Sequence, residues 1–161
     1  MENSEFMLIT SGRQEGSATV IKGEIYPTTG QCDALNVFLS RLLNGLEYER
    51  SSAEDNRCAA GEIVNNAVVH GSNTGEPVAF RFYFFPNRVR VEIEDKGTKP
   101  YDPNYKIDLS KEGVLKTSGR GLFIANYFAD VVDVRNLMSD NCVIGHLAIV
   151  EKKYKSNPSS R

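Results

Sequence analysis

The chain has 161 residues, 40% of them apolar and 25% charged, which fits one globular domain with its own core and excludes wholesale disorder. A formal net charge of −2 and a pI of about 5.7 leave no basic footprint for nucleic acid. No run of 18 apolar residues occurs, which excludes a membrane-spanning helix, and the acidic, polar start "MENSEF" lacks the charged-then-apolar order of a secretion signal.

Residues 1–17 are polar and are expected to form a flexible N-terminal segment. "ATVIKGEIY" (18–26) reads as a strand stopped by Pro27. Over 33–46, Leu35, Phe38, Leu39, Leu42 and Leu46 recur at helical spacing. "SSAE" (51–54) has the capping-box pattern and predicts the start of a second helix, which "GSNTGEP" (71–77) ends with its turn formers. A hairpin follows around Pro86 and Asn87. Val78, Phe80, Phe82 and Phe84 alternate on one strand and Val89, Val91 and Ile93 on the next, while Arg88, Arg90, Glu92 and Glu94 take the opposite parity. Residues 96–118 show no sustained period and predict a long loop of the kind that is functional or mobile. "GRGLFIANYFAD" (119–130) predicts a helix, "VVDVRNL" (131–137) and "CVIGHLAIV" (142–150) a closing hairpin, and 152–161 a flexible tail. This order predicts an α+β fold, a two-layer sandwich with helices on one face of a mixed, mostly antiparallel sheet spanning 18–151.

Three polar clusters stand out. In "GEIVNNAVVHG" (61–71), Glu62 and Asn66 lie about 40° apart round the helix and His70 about 40° further, so one edge carries a carboxylate, a carboxamide and an imidazole. Such a row describes either a solvated edge or a polar cleft able to serve an oxygen-loving cation such as magnesium. In "EIEDKGTKPYDP" (92–103), Asp95 closes a strand two residues before Gly97. That is ordinary turn chemistry, or a carboxylate placed to accept from an exocyclic amine beside a glycine that admits a flat ring. In "TSGRGLF" (117–123), Gly119 and Gly121 bracket Arg120 where a helix begins. This is either a flexible junction or a helix N-terminus suited to phosphate. The stretch does not fit G-x-x-x-x-G-K-[ST], so a Walker-type P-loop is excluded. Cys32, Cys58 and Cys142 are scattered and odd in number, and His70 and His146 are the only histidines, so no zinc site is expected and the thiols read as reduced, in a cytoplasmic protein.

Taken together and in order, these clusters resemble the motifs of the histidine-kinase-like ATPase superfamily, and within it the bacterial anti-sigma-factor serine/threonine kinases of the RsbW type. Glu62, Asn66, Ala67, His70 and Gly71 match its E-x-x-x-N-A-x-x-H-G box, "EDKGTKPYDP" (94–103) its D-x-G motif, and "SGRGLFIANYFADVV" (118–132) its glycine-rich motif with the helix after it. The resemblance implies ATP and Mg²⁺ as cofactors. It implies that Asn66 holds Mg²⁺ against the phosphates, that Asp95 bonds the adenine amine with Gly97 beneath the base, and that 101–118 form a lid. Ser118, Gly119, Arg120 and Gly121 would meet the phosphates, and Glu62 would take the proton from an attacking serine hydroxyl. His70 is expected to make a structural hydrogen bond, and Asn65 has no role. The family carries Gly-Thr on its last strand, expected near the phosphates. Here the pair is Gly145-His146, which implies that this contact is lost or replaced.

The implied partners are an anti-sigma-factor antagonist, whose serine is phosphorylated, and a sigma factor, with a homodimer expected and no direct contact with nucleic acid or membrane. The alternative is a nucleotide-dependent partner-binding module without phosphoryl transfer. The ATPase half of a histidine kinase is weaker, because no upstream helix offers a phosphoacceptor histidine and the chain is expected to start almost directly with the ATPase core.

Overall fold

The computed structural model describes residues 13–15, 18–46, 48–71, 75–103 and 120–154. In chain order they form β1 (Arg13–Glu15), β2 (Ala18–Ile25), α1 (Thr29–Gly45), α2 (Arg50–Asn66), a π-helical turn (Ala67–Gly71), β3 (Val78–Phe85), β4 (Arg88–Asp95), α3 (Gly121–Phe128), β5 (Val131–Ser139) and β6 (Cys142–Lys153). The strands make one six-stranded sheet in the order β1-β2-β3-β4-β6-β5. Each ladder is antiparallel. The two helices between β2 and β3 return the chain to the end it left, and β6 lies between β4 and β5, so those two strands share a direction without pairing.

The β3–β4 hairpin shows why helices cover only one face. Val78, Phe80, Phe82 and Phe84 are buried, as are Val89, Val91 and Ile93 across the turn. Arg81 and Arg90 point to the other face. There Arg81 pairs with Glu94 at 3.1 Å and Arg90 with Glu151 at 3.0 Å. Burial raises the Glu94 carboxyl, but hydrogen bonds and charge from Lys96 and Arg81 outweigh it and hold the group below its ordinary value. Gly23 lies opposite Phe80 on β2, and a Cβ there would come within 2.8 Å of the Phe80 ring, which covers the bare strand.

Helix α1 lays Cys32, Leu35, Leu39 and Leu43 into the core, with Phe38 tilted against Phe82 at 6.4 Å between ring centres. It starts four residues before the expected position because Thr28 caps it, its hydroxyl accepting from Gln31 N at 3.3 Å. Leu43 fills the place expected of Leu46, which is 38% exposed beyond the helix end. Helix α2 buries small residues, Ser52, Ala53, Ala59 and Ala60, beside Ile63 and Val64, which lets it pack closely on α3, β4 and β6. The expected capping box is not made: Glu49 occupies the N-cap without a side-chain bond, and Glu54 pairs with Arg57 one turn on, at 3.0 Å.

Both ends of the sheet extend past the expected limits. Arg13–Glu15 pairs with β2 inside the segment read as flexible. β6 continues to Lys153, and the buried Tyr154 stacks on Tyr48 at 4.0 Å. Burial first, then the charges of Tyr48 and Asp55, pushes the Tyr154 hydroxyl well above its ordinary pKa. The closing hairpin turns at Asp140 and Asn141, whose φ values of 48° and 62° suit a two-residue turn of the type that matches strand twist. Among the described residues no helix is long and apolar enough to cross a membrane.

Candidate functional site

The site is assembled where α2, the π-helical turn, the end of β4 and the start of α3 meet. On α2, the buried Ile63, Val64 and Ala67 hold the helix to the core, which leaves Glu62 and Asn66 half-buried on the adjoining edge. The N-terminus of α3 abuts that edge. A Cβ on Gly121 would stand 2.9 Å from Glu62 Oε2 and 3.0 Å from both Asn66 side-chain amide atoms, so only glycine leaves the carboxylate and carboxamide room. Arg120 caps the same helix, and its Nε is buried without a partner among the described residues.

The π-helical turn ends on Gly71, and such turns recur at functional sites because they break the regular succession of side chains. Here the turn presses the Gly71 backbone against β4. A Cβ at Gly71 would overlap the Asp95 carboxylate, and one at Gly97 would stand 2.5 Å from Gly71 O and 2.8 Å from its Cα. The smallness of Gly97 is therefore required by packing within the protein, and not only by an approaching ring. His70 is exposed on this turn, and its side chain has no hydrogen bond among the described residues. Asn65 is exposed.

Asp95 occupies the last position of the buried parity of β4, where the apolar series Val89, Val91, Ile93 ends in a carboxylate. It is 6% exposed. Its Oδ1 accepts from Gly97 N at 2.8 Å and lies 2.8 Å from His146 Nδ1. Both contacts fall on one oxygen, which leaves Oδ2 without a bond among the described residues.

His146, where the resemblance implies that the family's phosphate contact is lost or replaced, sits directly opposite Asp95 in the β4–β6 ladder, and its Nε2 lies 2.7 Å from the Lys99 carbonyl. Its neighbour Gly145 is glycine because a Cβ there would overlap the Asp95 carbonyl. Asn136, opposite His146 on β5, was not singled out at all; its side chain accepts from Tyr101 N at 2.8 Å and donates to Tyr101 O at 3.1 Å.

The structure thus brings Glu62, Asn66 and Gly121 together, with Arg120 at the same helix start, and separately gathers Gly71, Asp95, Gly97 and His146, the two groups being linked by α2 and its π-helical turn. Ser118, Gly119 and the expected lid beyond 103 lie outside the described residues. The Glu62–Asn66 edge offers hard oxygen donors, the kind that magnesium takes. Among the described residues no three His, Cys, Asp or Glu side chains gather to hold a metal on their own, so an ion at this edge would draw its other oxygens from phosphate or water.

The comparisons with known proteins agree with this geometry. Residues 26–144 match the family described as the histidine kinase-like ATPase domain. The serine-protein kinase RsbW of Bacillus licheniformis is 30% identical over 115 residues, covering 63% of this chain and 68% of that protein. The chain belongs to the histidine kinase-like ATPase family and is of the RsbW type.

Proposed function

We propose that the chain is an ATP-dependent protein kinase that phosphorylates a serine of an anti-sigma-factor antagonist and, in the alternative partnership, sequesters a sigma factor. The relative named as a serine-protein kinase supports this reading. The observation that carries it is the placement of these groups along α2 and its π-helical turn: a carboxylate and a carboxamide against the glycine start of a helix, and beyond them a carboxylate whose Oδ2 has no bond among the described residues.

In this reading Asp95 Oδ2 accepts the adenine amine while Gly97 N and His146 hold Oδ1. Bound ATP with magnesium would supply the phosphoryl group and offset part of its charge. Asn66 offers its amide oxygen to the ion, and Arg120 and Gly121, with Ser118 and Gly119 ahead of them, face the phosphates. Glu62 accepts the proton of the partner's serine hydroxyl as its oxygen bonds to the γ-phosphorus and the bond from that phosphorus to the β-γ bridging oxygen breaks, with ADP leaving. The homodimer, the two partner proteins and a cytoplasmic location belong to the same proposal.

The test is incubation with γ-labelled ATP, Mg²⁺ and candidate antagonists from the same genome, with Glu62→Gln in parallel. The wild type should label a partner serine. Glu62→Gln should bind ATP normally and lose on the order of 100-fold or more in transfer. Unaltered transfer by Glu62→Gln would contradict the catalytic assignment. ATP binding with no transfer to any candidate would favour the partner-binding module.

A further inference from the structure

Three side chains stand at one level across the sheet: Asp95 on β4, His146 on β6 and Asn136 on β5. Each grips the segment that leaves β4, and they do so at alternate residues. Asp95 holds Gly97 N, His146 reaches Lys99 O, and Asn136 holds both the N–H and the carbonyl of Tyr101. The segment 97–101 is thereby strapped across the ends of three strands, with Asp95 at one end of the strap.

The imidazole at the centre has two acceptors. Nδ1 is 2.8 Å from a carboxylate oxygen of Asp95 and Nε2 is 2.7 Å from the carbonyl of Lys99. A neutral imidazole carries one N–H, and its other nitrogen is a lone pair. With Asp95 ionised and the ring neutral, one of these two contacts would set a lone pair against an acceptor. Both are satisfied when the Asp95–His146 pair carries one further proton, with the ring as imidazolium against a carboxylate or with the acid proton shared between them. The elements around the ring also carry Glu94 on β4, Lys96 just ahead of the strap and Lys99 within it, Asp133 and Arg135 on β5 and His70 on the π-helical turn. Of these, Lys96 is engaged by Glu94 and Arg135 by Asp133.

We infer that His146 is a positioning residue which, by donating from both ring nitrogens, locks Asp95 and the 97–101 strap into the shape that accepts the adenine amine, and so makes nucleotide affinity depend on pH. This rests on the reading that Asp95 meets the base. Raising the pH removes the shared proton, one of the two contacts is lost, and the strap loosens, so affinity falls as the solution becomes more basic.

The test is titration calorimetry of Mg–ATP with the full chain between about pH 6 and pH 8.5, alongside His146→Gln, whose side chain does not titrate. Phosphate titration is common to both proteins and cancels in the ratio of their affinities. Wild-type affinity should fall about tenfold more than that of His146→Gln across this range. Equal slopes would overturn the inference. Nitrogen-15 spectra of the imidazoles in the nucleotide-free wild type provide a readout that needs neither binding nor a variant at His146. The chain has two histidines, so His70→Gln assigns the signals. Two protonated nitrogens on His146 at neutral pH support the inference, and a neutral tautomer overturns it. If the wild type binds no ATP, the proposed function fails, while the nitrogen spectra still decide the state of the clamp.

Discussion

The middle and the end of the β3–β4 hairpin follow one alternation and serve opposite purposes. In the middle, Phe80, Phe82, Val91 and Ile93 fill the space under the helices and exclude everything else. One step beyond Ile93, the same parity delivers Asp95, and the neighbouring backbone is kept bare: a Cβ at Gly71 would meet the carboxylate, one at Gly97 the Gly71 backbone, and one at Gly145 the Asp95 carbonyl. The apolar part gains stability from volume and contact, whereas the polar end places one oxygen under strict geometric control. A substitution should therefore separate stability from ligand affinity according to which part it enters.

The largest effect is expected from Phe82→Ala. Phe82 is fully buried and touches the rings of Phe38, Phe80 and Phe84. Chemical denaturation should show a loss of about 3–5 kcal/mol, with nucleotide affinity of the remaining folded protein close to that of the wild type. A smaller effect on stability, about 1–3 kcal/mol, is expected from Gly71→Ala, because its methyl group would overlap the Asp95 carboxylate. Here the order reverses. ATP affinity measured by calorimetry should fall at temperatures where circular dichroism still reports a folded chain. If Gly71→Ala binds ATP as well as the wild type, the enclosure of Asp95 is not what tunes the site.

This contrast also explains what the sequence made legible. The hairpin could be read because its signal is local: side chains two apart share a face, and Val78 to Phe84 announce it. The edge of α2 carrying Glu62 and Asn66 could be read for the same reason, with helical spacing in place of alternation. Neither the partner of Asp95 nor the row it belongs to could be read locally. His146 lies 51 positions away, and only the register of β6 against β4 puts it opposite that carboxylate. Asn136 depends on a second register, β5 against β6, with an irregularity at Leu137 and Met138. Helix starts were misread where polar residues lead. Thr28 caps α1 ahead of its first apolar residue, and the pattern at 51–54 resembled a cap although Glu49 already held that place. The π-helical turn left no pattern of its own in the sequence.

The central claim is that the carboxylate of Asp95, at the sheet end beside α2 and α3, meets the base of an adenine nucleotide bound at this site. Calorimetric titration of Mg–ATP into the wild type and into Asp95→Asn tests it most directly. The wild type should give saturable heat, and Asp95→Asn should bind at least about tenfold more weakly while remaining folded, because an amide in that position loses a charge-assisted bond to the amine. Equal affinity in the two proteins, or no heat with the wild type, would contradict it.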